Sequence, residues 1–313
     1  MSKRQKTRKN VRRIWFSGFA ALILLCCFVV SWLPGDAASN WKQIFLICGL
    51  GDFSSRADGW PLAVHIQNVG KADSIFVECE GRSLLVDGGT ADCGEQVASY
   101  LKKRGVRSID MVVNTHPDSD HIGGLATVLL RYPVGRYFSP ALPDELIPNS
   151  SEYLSTQRAL KARKIREEHP KAGASFQLGR LHGTVLGPVK AGTSTNDNSI
   201  ILKLAFGQTS FLLTGDAEKP EEQSLLEAGA DLKADVLKVG HHGSDTSTTQ
   251  DFLDAVAPKY AAISVGADSS NLPKASVSRQ LAESGAAVYR TDINGTILFL
   301  SDGKKLTVQT EKS

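Results

Sequence analysis

The stretch NTHPDSDHIGG, residues 114–124, follows directly on the apolar run IDMVV and constrains this chain more than any other feature. His116, Asp118, Asp120 and His121 place four potential metal ligands within six residues, on a loop that a strand end can hold rigid. A solvated turn would account for the aspartates. It does not account for two histidines at these spacings. Two more clusters close apolar, strand-like runs in the same manner: FLLTGD ends on Asp216, and VLKVGHHGS carries His241 and His242. In layered α/β folds, loops from one end of a sheet converge, so the three clusters predict a single site. One carboxylate able to bridge, three or four imidazoles and two further carboxylates would hold two divalent cations. Mixed nitrogen and oxygen donors suit zinc or manganese. Such ions lower the pKa of a shared water and clamp a phosphoryl or carbonyl group. No organic cofactor is called for.

The pattern around these clusters alternates short β-rich runs with helical ones. LAVHIQNV, SIFVEC and SLLVDGG read as strands, with Gly81-Arg82 turning the second into the third. Gly94 to Gly105 reads as a helix closed by glycine. SIILKLAF and TSFLLTGD form a second hairpin, followed by a helix from Pro220 to about Ala228 and the strand DVLKVG. TTQDFLDAVA and VSRQLAESG read as helices around the strand YAAISVG, and VYRTD, TILFLSD and KLTVQT as closing strands. Residues 74–87 and 199–216 echo each other as strand, glycine turn, strand, terminal acid. Two similar halves predict an α/β (α+β) sandwich of two sheets with helices outside. Residues 140–183 break this rhythm and carry an expected helix over 152–168, in which Lys161, Arg163 and Lys164 form either a solvated face or a basic lid towards substrate.

Ahead of this body stands a different kind of sequence. Residues 1–13 hold seven basic groups and no acid, which leaves 29 basic and 33 acidic residues in the other 300, a net charge of −4. The body therefore has no global positive field for gathering nucleic acid. Ile14 to Leu33 contains no charge, and about 20 apolar residues are what a membrane-spanning helix needs. Trp15 and Trp32 mark its ends. The expected organisation is a cytoplasmic tail over 1–13, a single-pass anchor over 14–34, a linker over 35–60 and an exported domain over 61–313. An h-region of a signal peptide is usually shorter; if the segment is cleaved, the protein is secreted. Outside the anchor, Cys48, Cys79 and Cys93 do not make a disulfide scaffold.

NVGKADSIFVECEGRSLLVDGG, THPDSDHIGG, NDNSIILKLAFGQTSFLLTGDAE and ADVLKVGHHGSDTSTTQDFLDAVAPKYAAISVG resemble, in order, the metallo-β-lactamase-like C-terminal domain of the ComEC competence family and its stand-alone relatives. The likeness runs from about Leu62 to Leu300 and implies an αββα metallo-β-lactamase fold with a dinuclear metal centre and hydrolysis, often of phosphodiesters. It also implies roles. His116 and Asp118 would hold one metal, Asp120 and His121 the other, with Asp216 between them. His242 would be a further ligand, and His241 a ligand or a catalytic substrate contact beside the catalytic Asp120. Asp87 would orient a ligand histidine, and Asp73 would either support the ligands or form an Asx turn. Asn198 lies near the place of a third histidine in other branches and is expected to face substrate.

The chain departs from the family where a Gly-His-Pro is expected: it has Asn271-Leu272-Pro273. Without that histidine, the second metal would be held more weakly, or only one would bind. Taken with the apolar segment over 14–33, the resemblance implies a membrane-anchored, metal-dependent hydrolase of phosphodiesters such as nucleic acid. Hydrolysis of a cell-wall or lipid phosphoester, in the manner of teichoic-acid phosphorylcholine esterase, and a binding module that has lost turnover are the alternatives. One spanning segment cannot itself form a channel.

Overall fold

Apolar residues alternate along short strands, and that alternation sorts them onto two faces. The computed structural model describes residues 40–41, 52–267, 269 and 271–312. The basic tail, the expected anchor and most of the expected linker lie outside the described residues. Among the described residues no helix is long and apolar enough to cross a membrane. The chain divides into two compact units, 1–56 and 57–313, and everything below concerns the second.

Strands β1 (Leu62–Ile66), β2 (Ile75–Cys79), β3 (Arg82–Val86), β4 (Ile109–Val113), β5 (Val134–Phe138) and β6 (Glu167–Glu168) form one sheet with the last two strands, β14 (Ile297–Ser301) and β15 (Leu306–Thr310). Its order is β15-β14-β1-β2-β3-β4-β5-β6. The second sheet comprises β7 (Ser175–Leu178), β8 (Leu181–Gly187), β9 (Ile201–Phe206), β10 (Thr209–Leu213), β11 (Val236–Lys238), β12 (Tyr260–Ile263) and β13 (Ala287–Arg290), in the order β13-β12-β11-β10-β9-β8-β7. Leu84, Val86, Leu204, Phe211 and Leu213 point into the layer between the sheets. Their neighbours Leu85 and Leu212 point to the outer faces. Helices α1 (Gly94–Lys103), α2 (Ser119–Ile122), α3 (Leu125–Arg131) and α4 (Ser151–Arg163) cover the first sheet. Helices α5 (Lys219–Glu227), α6 (Gln250–Val256) and α7 (Ala275–Glu283) cover the second. Burying each large apolar side chain in these layers contributes about 1.5–3 kcal/mol.

The internal echo is a real repeat of topology. In each half an antiparallel hairpin, β2-β3 or β9-β10, is followed by a strand that joins it in parallel, β4 or β11. The first hairpin turns at Glu80 and Gly81, both at positive φ, with Arg82 already in the strand. Parallel pairing aligns the ends of β3 and β4, and likewise those of β10 and β11, so their following loops emerge side by side.

One expectation needs correction. The helix expected over 152–168 stops at Arg163, where Lys164 adopts a left-handed conformation and caps it; residues 167–168 then pair with β5 as a short edge strand. The three expected closing strands form and divide between the sheets: β13 pairs in parallel with β12, whereas β14 and β15 return to the first sheet beside β1. Cys79 and Cys93 are both free thiols.

Candidate metal centre

Four strand ends meet at the rim of the sandwich. Asp87 follows β3, residues 114–121 follow β4, Asp216 follows β10, and His241 and His242 follow β11. Two close backbone approaches make the meeting possible. A Cβ on Gly124 would lie 2.1 Å from the carbonyl oxygen of Gly88, so only glycine lets the turn bearing Asp120 and His121 dock against the loop after Asp87. Gly215 has a φ of +53°, and a Cβ there would lie 2.9 Å from the Thr115 Cβ. The two sheets touch at this point, and Ile200 N donates to Thr115 O at 2.8 Å across it.

The imidazoles are oriented through their Nδ1 atoms. His121 Nδ1 lies 2.9 Å from Asp87 Oδ2, and the same carboxylate accepts from Thr115 N at 2.8 Å and Thr115 Oγ1 at 2.6 Å. Because the Thr115 hydroxyl donates to Asp87, it is left to accept from His116 Nδ1, 3.1 Å away. His242 Nδ1 lies 2.8 Å from the carbonyl oxygen of Ser264, which can only accept. Each ring thereby carries its proton on Nδ1 and turns an Nε2 lone pair inward.

Those inward atoms have no hydrogen-bond partner. His116 Nε2, His121 Nε2, His242 Nε2 and Asp216 Oδ1 are all buried and unsatisfied, which is costly unless something positive lies among them. They converge. His121 Nε2 is 3.3 Å from Asp216 Oδ1, while His242 Nε2 is 3.4 Å from Asp120 Oδ2 and 3.5 Å from Asp216 Oδ2. His116 Nε2 is 3.8 Å from Asp118 Oδ2, whose side chain is 41% exposed. Ligand atoms of His116, His121 and Asp216 form one group able to hold a cation, and those of Asp120, His121 and His242 a second. The donor set therefore fits divalent metal: His116, His121 and Asp216 on one side and Asp120, His121 and His242 on the other, with Asp216 reaching imidazoles of both groups and Asp118 near the first only through its 3.8 Å approach to His116.

The local field agrees. Burial opposes ionisation of Asp216, but His242 and His121 hold its carboxyl well below the usual range. Burial likewise opposes Asp120, and His242, His121 and Lys71 hold it down. His116 is lowered by burial and then by His121, which favours its free lone pair. For His121 burial is outweighed by Asp216 and Asp87, which raise it; a cation there would replace that proton.

The structure separates the two adjacent histidines. Both adopt left-handed backbone, φ 45° and 53°, which is strained for side-chain-bearing residues. His242 is buried among the ligands. His241 stands at the rim, 24% exposed, with Nδ1 3.0 Å from both Glu218 Oε1 and Thr246 Oγ1 and Nε2 3.9 Å from Asp216 Oδ2.

Asp73 does not form a simple turn. Its carboxylate pairs with the fully buried Lys238 at 2.9 Å, and its backbone N donates to Asp120 O at 3.0 Å. Burial pushes Asp73 up, and Lys238 brings it below the ordinary carboxylate value. Asn198 does not face substrate: its side chain bonds Gly192 N and O and Ser194 O, stapling its own loop. Lys161, Arg163 and Lys164 lie exposed at the end of α4. The cavity of about 290 Å³ beside Pro117 is lined instead by Tyr153, Glu167, His169, Leu142 and Ile147. Leu272 packs into the hydrophobic cluster under α7 and offers no ligand. Sequence reasoning missed Lys238 and Lys71; a lysine inside the apolar run VLKVG was the available signal for the first.

With this geometry, the chain belongs to the metallo-β-lactamase superfamily of metal-dependent hydrolases, whose family pattern matches residues 68–267. Within it, the chain is similar to competence proteins. It is 33% identical to ComE operon protein 3 of Bacillus subtilis over 256 residues, covering 75% of this chain and 32% of that protein. It is 29% identical to competence protein ComA of Neisseria gonorrhoeae over 286 residues, covering 89% and 38%. The chain spans roughly a third of the length of these relatives. Among solved structures, CmlA, a diiron β-hydroxylase from Streptomyces venezuelae, shares the fold with a TM-score of 0.53 and 16% identity, over 77% of this chain and 54% of that one.

Proposed function

We propose that this protein is a membrane-anchored phosphodiesterase whose catalytic domain lies outside the cytoplasm and acts on nucleic acid or a similar anionic polymer. The observation that carries the reading is Asp216, a buried carboxylate whose two oxygens face separate sets of orphaned imidazoles. That arrangement suits two cations set side by side. Bound there, divalent ions act as Lewis acids towards phosphoryl oxygens and make water a better nucleophile. Two further features support the reading. The local likeness to ribonuclease Z of Clostridioides difficile, 43% identity over 56 residues, belongs to an enzyme named for cutting RNA. The cavity beside Pro117 is large enough for one sugar-sized or base-sized group next to the scissile bond.

The chain's own residues divide the work. Asp87 and Thr115 fix the ligand rings of His121 and His116, and the Ser264 carbonyl fixes His242. His241, anchored through Nδ1 by Glu218, keeps an Nε2 lone pair at the open rim, where it can take a proton from the attacking water and hand it on to a departing alkoxide. Tyr153 and Leu142 exclude water from one side of the substrate. The stretch Ile14 to Leu33 anchors the chain, with the seven basic residues before it in the cytoplasm.

The test uses the full chain in detergent, loaded with zinc or manganese, on bis(p-nitrophenyl) phosphate and then on single-stranded and duplex DNA and RNA. Turnover that disappears in Asp120→Asn and His116→Ala supports the proposal. No hydrolysis of any phosphodiester by the metal-loaded wild type overturns it, and release of phosphorylcholine from a wall polymer without nuclease activity would redirect the substrate.

A further inference from the structure

Lys71 introduces a positive charge at the side of the centre that a second cation would take. It follows Gly70, whose φ of +80° turns the β1-β2 connection across the rim of the site. Its ammonium donates to Asp120 Oδ2 at 2.8 Å. That same oxygen is the one 3.4 Å from His242 Nε2. Lys71 therefore engages the atom through which Asp120 would ligate a cation shared with His242. The side chain is 42% exposed, so it reaches the carboxylate from the open face.

The charges point the same way. Asp73 is neutralised by Lys238, and Asp87 is spent on Asn114, Thr115 and His121. Asp118, Asp120 and Asp216 are the carboxylates left for cations. Three negative charges less one ammonium leave two, the complement of a single divalent ion. The absence of a ligand at position 272 removes one means of overcoming that competition, because Leu272 is committed to apolar packing.

We propose that Lys71 competes with the second divalent cation for Asp120, so that this chain binds one ion tightly on the His116, Asp118 and Asp216 side and a second only by displacing Lys71. The proposal rests on the metal-binding reading of the site but not on the identity of the substrate. Lys71 is a positioning residue in this account; it sets how many ions the centre holds.

Bound metal is counted by atomic emission after equilibrium dialysis of the full chain in detergent against chelator-buffered zinc, with no substrate present. The wild type is expected to fill one site and to take a second ion with at least about tenfold weaker affinity. Lys71→Met should strengthen the second binding by about tenfold or more, whereas Lys71→Arg, which keeps the cation, should stay near the wild type. Adding His242→Ala to Lys71→Met should abolish that gain, which locates the second ion on the Asp120 side. Two ions of equal, tight affinity in the wild type, or an unchanged second affinity in Lys71→Met, would overturn the proposal. No bound metal in any variant would overturn the metal-site reading itself, a result distinct from either.

Discussion

The first sheet and the second supply the centre by opposite means. The first packs His116, Asp118, Asp120 and His121 into one turn and then fixes the rings with a hydrogen-bonded support, Asp87 with Thr115, placed directly beneath. The second supplies Asp216, His241 and His242 from two loops and holds the histidines by left-handed backbone at consecutive positions. Density of ligands needs side-chain support to orient them; scattered ligands need backbone strain to aim them. What joins the two is Asp216, reaching imidazoles from both sheets, and below it the Asp73-Lys238 pair.

Removing the joint should have the largest effect. Asp216→Ala removes the oxygen that faces His121 and the one that faces His242 at once, so bound metal should be lost and hydrolysis should fall on the order of 10³-fold. Metal analysis beside kinetics checks this. If the variant keeps full metal and loses little rate, the two sheets do not share a ligand and the comparison breaks.

Next comes the tie beneath the site. Lys238→Met leaves Asp73 buried and unpaired, which should destabilise the domain by about 3–5 kcal/mol. The double variant Lys238→Met with Asp73→Asn should recover much of that loss, because no isolated charge remains. Denaturant unfolding of the wild type, the Lys238→Met and Asp73→Asn single variants and the double variant reads the coupling. Additive losses would mean that the pair is not what holds the sheets in register at the site.

The sequence carried the first sheet's contribution more openly than the second's. Four ligands in six residues are visible without a fold, and the acid-terminated strands located Asp87 and Asp216. The choice between His241 and His242 was not visible, since it depends on two unusual φ values and on the Ser264 carbonyl, which lies on another strand end. Asn198 misled because a position near the third histidine of other branches says nothing of its capture by Gly192 and Ser194. The basic run at 161–164 left a solvated face and a basic lid both open, and the fold takes the first: Lys164 ends α4 and the charges lie exposed. The return of β14 and β15 to the first sheet is a long-range pairing that no local pattern encodes.

The ring support of the first sheet gives a subtler prediction. In Asp87→Asn the amide can donate to His121 Nδ1, which drives the ring proton to Nε2 and turns an N–H towards the metal position. Metal affinity should fall by about 10–100-fold with the fold intact, and the tautomer change should be visible by nitrogen NMR of the imidazole. An unchanged affinity would show that ligand density alone suffices on this side, and that the contrast between the sheets is one of sequence spacing only.

The last test, the one farthest from the metal centre, asks whether the second sheet's loops carry strain beyond the histidines. Glu221 on α5 accepts from Val189 N at 2.8 Å, and burial pushes its carboxyl up to about 7. A carboxyl raised above its unfolded value of about 4.5 gives stability that is complete below that value and is lost as pH climbs through 7, where the buried group must ionise. Glu221→Gln keeps the acceptor for Val189 and removes the ionisation. It should therefore stabilise the domain by about 3 kcal/mol at pH 8 and by less than about 1 kcal/mol at pH 5. Thermal unfolding across that range checks the sign: a gain at pH 5 that vanishes at pH 8 would place the strain elsewhere, and a flat difference would assign it to packing rather than charge.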